Sequence, residues 1–159
     1  FLAGKPLERL RNGHSVAFNM QLSALGEAKT SVLRRSFERC VVSYDLWEEK
    51  FSVTRMRSSP SSASRLSAKA AEQWCVDNIS LPSAGLPRDR SIWIRLDIQA
   101  QGPKDPPILS DDEGVSLAAL VEIFSRVTGT QPPNSWKLEA GPLKIADLPK
   151  EQARARGAD

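Results

Sequence analysis

SIWIRLDIQA, Ser91 to Ala100, is the stretch whose reading decides the fold. Ile92, Ile94, Leu96 and Ile98 recur at every second position, while Trp93, Arg95, Asp97 and Gln99 fill the alternate ones. This is the period of a β-strand with one side in a core and the other partly wet. The first face is uniformly branched and apolar. The second carries a charge of each sign and an indole large enough to cover a neighbour. No residue type in the strand does chemistry alone.

A second strand of the same kind precedes it. After a short lead-in that turns at Asn12-Gly13, Val16, Phe18, Met20 and Leu22 alternate with Ala17, Asn19 and Gln21 from His14 onward. Asn-Gly supplies the positive φ that a tight turn needs, and Leu7 and Leu10 are placed to cover the strand's open end. A long strand follows from Ser31 to about Leu46. There Leu33, Phe37 and Val41 share one phase and Cys40, Val42, Tyr44 and Leu46 the other, a change of phase that predicts a bulge near Glu38 to Cys40. Trp47 to Lys50 make a turn, and Phe51 and Val53 begin a third strand, giving an antiparallel meander.

Ser58 to Ser64 reads as a loop, since proline and clustered serines compete with regular structure. A helix then places Leu66, Ala70 and Trp74 on one stripe, widened by Ala71 and Cys75, and closes at Asp77-Asn78. Residues 79 to 90 form a loop pinned by Ile79, Leu81 and Leu86. Beyond Ala100, Ser110 and Glu113 form a capping box for a helix running to Gly129, with Leu117, Leu120, Val121, Phe124 and Val127 on one face. Trp136 and Leu138 follow Pro132-Pro133 as a short edge strand or extended segment. The expected fold is α+β: an antiparallel sheet of four or five strands with two helices on one face. A β-sandwich with helical insertions is the alternative, favoured if the Trp93 and Arg95 face lies against a second sheet. One domain is expected over 1–148, with 149–159 a solvated tail.

Composition bounds the function. The 159 residues, 40% hydrophobic and 26% charged, fit one folded domain. The net charge of +3 comes from 22 basic and 19 acidic residues, with the excess in the first sixty. Arg34, Arg35 and Arg39 are the densest basic group, and nucleic-acid binding through them is the weakest of the functional readings. No run approaches the roughly 20 apolar residues that span a bilayer. The chain begins at Phe1 rather than methionine, which fits a mature exported domain and an excised soluble domain equally and so carries no information about export.

Reactive groups are sparse. His14 is the only histidine, which excludes a multi-histidine zinc site, and it lacks a nucleophile motif nearby. Asp111, Asp112 and Glu113 fit a helix N-terminus, and Glu48 and Glu49 fit a turn. There is no glycine-rich phosphate loop, and no cofactor is expected. Cys40 and Cys75 are a candidate disulfide in an oxidising compartment, closing a loop of about 35 residues and stabilising by about 2 to 4 kcal/mol; in the cytosol they would be buried thiols. Binding candidates are aromatic: Trp47 in its turn, Tyr44 just before it, and Trp93 beside Arg95 on the wetter strand face.

GKPLERLRNGHSVAFNMQLSAL, VVSYDLWEEKFSVTR, the helix with Trp74 and the ending WKLEAGPLKIADL together resemble an uncharacterised family of small exported bacterial proteins, a domain of unknown function. The likeness covers most of residues 5 to 148 and rests on strand patterns and turn residues. The Ser/Pro loop and the capped helix from 113 depart from it. The resemblance implies an exported, periplasmic protein with no assigned activity, and no catalytic residue carries over. A cytoplasmic location is the alternative. The functional expectation is a non-enzymatic module whose partner is a protein or cell-envelope component. The competing expectation is a small-ligand carrier or enzyme, which needs a concave pocket with converging polar groups.

Overall fold

The computed structural model describes residues 1–56, 59–77, 79–102 and 134–147. Six strands, β1 (Val16–Leu25), β2 (Val32–Asp45), β3 (Lys50–Arg55), β4 (Ser61–Leu66), β5 (Ile92–Ala100) and β6 (Ser135–Leu143), form one antiparallel sheet in the order β4-β3-β2-β1-β5-β6. Two helices, α1 (Gly4–Arg11) and α2 (Ala68–Asp77), pack on one face of it. The fold is α+β, as the alternating pattern predicts, and the described strands make a single sheet rather than a sandwich.

The register explains the alternation. Phe18 of β1 lies opposite Cys40 of β2 and Ala100 of β5, and Met20 lies opposite Glu38 and Ile98. Even-numbered positions on β1, on β2 from Arg34 onward and on β5 therefore share the helix side. Leu10 from α1 and Ala71 and Cys75 from α2 complete that core with Val16, Phe18, Met20, Val42, Val53 and Ile98. Phe1 reaches over the same core, its ring 4.8 Å from Phe18, and the Leu2 N–H donates to Glu72 of α2 at 2.6 Å. β5 is internal, hydrogen-bonded to β1 on one side and β6 on the other, which is why its apolar face alternates without interruption.

Four expectations are corrected. Residues 4 to 11, read as a lead-in, form α1. Its last turn is closed by Asn12 and Gly13, with Gly13 at φ +81 and its N–H donating to Leu10 at 3.0 Å. The serine-rich stretch is partly β4, an edge strand that brings the sheet to six, so Leu66 ends a strand instead of starting the helix stripe, and α2 begins after Ser67, whose Oγ accepts from the Ala70 N–H at 3.3 Å. The β1–β2 register is continuous through Glu38 to Cys40, and its irregularity falls between Ala24 and Leu25, opposite Val32. The second apolar phase of β2 has a different cause: Phe37 and Val41 sit half-buried on the reverse face, so both sides of the strand carry apolar side chains. Finally, Leu46 leaves the core phase of β2 and is exposed at its end. The capping box at 110–113, the helix to Gly129 and the tail from 149 lie outside the described residues.

Candidate functional site

The turn joining β2 to β3 is the candidate site. Asp45 ends β2 and its Oδ1 accepts from the backbone N–H groups of Trp47 at 2.8 Å and Glu48 at 3.0 Å. This local closure is what aspartate offers a turn. The N–H of Glu48, and after it that of Trp47, hold the Asp45 carboxyl below its ordinary pKa. Glu49 takes the left-handed conformation, φ +53, that reverses the chain into β3. Glu48 then receives both Nε (3.0 Å) and Nη2 (2.5 Å) of Arg65, which ties the turn to β4. At the base, Tyr44 and Phe51 lie opposite one another across the strands with ring centroids 4.7 Å apart.

These contacts hold the polar members of the turn and leave its apolar ones outside. Trp47 is 97% exposed and Leu46 is 55% exposed. An indole held out in water at the apex of a braced hairpin contributes nothing to the core. Exposed aromatic side chains on turns are the type of residue that anchors contacts in protein interfaces.

The other sequence candidates fall elsewhere. Trp93 and Arg95 belong to a cluster on the face away from the helices. Lys29 Nζ sits 3.5 Å over the Trp93 ring and 3.0 Å from Glu139 Oε2, and Arg95 Nε donates to Glu139 Oε1 at 2.8 Å. Those side chains satisfy one another and clamp the β1–β2 hairpin end to β5 and β6. Tyr44 lies on the helix side and does not join Trp47. Arg34 and Arg35 point to opposite faces; Arg34 donates to the Ala84 carbonyl, and Arg39 reaches the Gln101 side chain at 3.0 Å. The three arginines therefore do not form one surface. His14 is exposed at the start of β1, its backbone N–H donating to Arg9.

Cys40 and Cys75 are brought together inside the core as free thiols. Among the described residues no group of three or more His, Cys, Asp and Glu side chains is arranged to hold a metal ion, and no helix is long and apolar enough to cross a membrane. Sequence reasoning located Trp47 but missed two parts of the site. Leu46 shares a phase with buried residues, and Arg65 stands seventeen positions from Glu48 in a stretch without strand alternation.

Comparison of the chain with protein-family models, with curated proteins and with solved structures yields no match.

Proposed function

We propose that this domain is a non-enzymatic binding module of an exported protein, and that it holds a partner protein by the Leu46–Trp47 apex of the β2–β3 hairpin. The 97% exposure of Trp47 is the observation that carries the reading. Seating an indole in a protein pocket removes some 150–250 Å² from water, worth roughly 4 to 6 kcal/mol before the costs of association. The Asp45, Glu48 and Arg65 contacts reduce those costs by holding the turn in shape before the partner arrives.

Charge favours a protein over a lipid surface. Asp45, Glu48 and Glu49 outnumber Lys50 and Arg65 around the apex, and an anionic headgroup layer repels such a tip. The complementary surface is an apolar pocket rimmed by basic groups. Export rests on the sequence resemblance, and fractionation of the producing cells tests it.

The binding test places a photo-crosslinking residue at Glu49, beside the intact Trp47, and at Ser62 as a control, in an extract of the cells that make the protein. The expected result is one discrete protein adduct from position 49 only, competed away by added purified domain but not by its Trp47→Ala variant. Equal competition by Trp47→Ala would overturn the proposal. So would a blue shift of indole emission on vesicles of phosphatidylglycerol, which would make the apex a membrane anchor.

A further inference from the structure

Cys40 lies on the helix side of β2, deep in the sheet, and Cys75 descends on it from α2; both belong to the one buried core. Arg55 of β3 stands directly opposite Cys40 in the register. Its Nη2 reaches the carbonyl of Trp74, the residue before Cys75, at 3.4 Å, and its guanidinium lies 4.7 Å from the Trp74 ring. That bridge fixes the last turns of α2 above Cys40. The two thiols are thereby brought to the same seam between α2 and the sheet, both buried in the one core.

We propose that Cys40 and Cys75 are a thiol–disulfide exchange site, closed to an intramolecular disulfide by reaction with a small or protein disulfide and locking α2 to the sheet. The proposal stands on the core geometry and is independent of the hairpin apex.

The two sulfurs are not equivalent. The hydrogen bond from Cys75 and the positive charge of Arg55 hold the Cys40 thiol below its ordinary pKa against the opposing effect of burial, whereas donation to Cys40 and burial both push Cys75 up. Once Cys75 carries a mixed disulfide it no longer donates, and Arg55, opposite Cys40 in the register, is the cation that favours the Cys40 thiolate as the helix seats. Cys75 sits near the end of a ten-residue helix that follows the edge strand β4, and residues 79–91 carry no helix or strand, so it reaches solvent when that helix opens locally.

The exchange balances in two steps. With α2 open, the Cys75 sulfur attacks R–S–S–R, giving Cys75–S–S–R and one R–SH. As α2 docks, the Cys40 thiolate attacks the Cys75 sulfur, the Cys40–Cys75 bond forms, and R–S⁻ leaves and takes up the proton released by Cys40. Two protein thiols are oxidised by two electrons, and R–S–S–R is reduced to two R–SH.

The test refolds the reduced, purified chain in a buffer of oxidised and reduced glutathione and reads intact mass and free thiols in guanidinium. The expected product is a monomer that has lost two hydrogens and both titratable thiols. Its melting temperature is roughly 10 °C above that of the reduced chain, and dithiothreitol abolishes the difference. Cys40→Ser is expected to accumulate one glutathione on Cys75, because the resolving sulfur is gone. Retention of both thiols, a double glutathione adduct, or a disulfide-linked dimer of the wild-type chain would overturn the proposal. Should Cys40→Ser fail to fold, the wild-type mass and thiol count decide it alone.

Discussion

Glu48 and Arg65 are joined by two parallel hydrogen bonds, from Arg65 Nε at 3.0 Å and Nη2 at 2.5 Å, across the gap between a turn and an edge strand. Paired donors of this kind fix orientation as well as distance. Both side chains are solvated, so the pair contributes little to global stability. Its effect is local: the turn that carries Trp47 has one fixed relation to β4.

Arg65→Ala is therefore expected to leave the melting temperature unchanged while speeding backbone hydrogen exchange at residues 46 to 49. A melting temperature that falls sharply, or exchange at the turn that stays slow, would show that the pair does something else. Trp47→Ala is likewise expected to leave thermal stability unchanged, since the indole makes no core contact.

Two carboxylates on the reverse face respond to pH in opposite senses. Hydrogen bonds from Lys29 and then Arg95 hold the Glu139 carboxyl below its ordinary pKa. Its stabilising effect is fully present above the unfolded carboxylate pKa near ~4.3 and is lost as pH falls through the lower folded value. Burial, partly offset by Lys137 and Arg95, pushes Asp97 up. The folded state then binds the Asp97 proton more tightly, so stability falls as pH rises through the raised value and the penalty is complete above it. Asp97→Asn is expected to stabilise the protein at neutral pH by about 0.5 kcal/mol, the scale of a partly exposed substitution, with the gain vanishing below roughly pH 3.9. Urea denaturation at both pH values checks it; an Asp97→Asn gain that persists unchanged in acid would rule out ionisation as its cause.

What was legible in the sequence follows from where each signal originates. β5 was plain because its core-facing side is buried along most of its length, with Ile92, Leu96 and Ile98 buried and Ile94 half-buried, and the alternation records that burial. β4 was hidden because an edge strand needs few apolar contacts. In SSASRL only Ala63 and Leu66 are even partly buried, and the strand is held by backbone pairing to β3. α1 was hidden because it starts without a capping side chain at Ala3, so only its closing Asn12-Gly13 signal showed. Trp47 could be placed in a turn from Asp45 and the charged run after it, but its exposure and the Arg65 brace depend on contacts between distant positions.

Gly141 of β6 is required by close approach. It has φ +144, and a Cβ there would lie 3.0 Å from the Ile92 carbonyl oxygen and from two carbons of the Trp93 ring. Gly141→Ala must displace the ring that Lys29 covers as well as adopt a disfavoured backbone. A loss of about 2 kcal/mol is expected, together with a change in Trp93 emission. A variant as stable as the parent would show that β6 can shift away from β5 without cost.

Arg55 and Glu38 are both buried on the helix side of the sheet, with Nε and Oε2 3.8 Å apart. A buried pair whose charges meet at that distance recovers its desolvation cost poorly, but either charge left alone fares worse. Arg55→Met is accordingly expected to cost about 3 kcal/mol, because it takes away the cation facing the buried Glu38 carboxylate and removes the guanidinium from the Trp74 carbonyl and ring. Adding Glu38→Leu is expected to recover most of that loss, since two apolar side chains suit the surroundings supplied by Met20, Cys40 and Ile98. Urea midpoints of the parent, both single variants and the double variant give the coupling directly. Recovery in the double variant identifies charge burial as the source of the cost. Strict additivity of the two losses would instead assign it to the packing of Arg55 against α2, and would mean that the carboxylate is satisfied without the arginine.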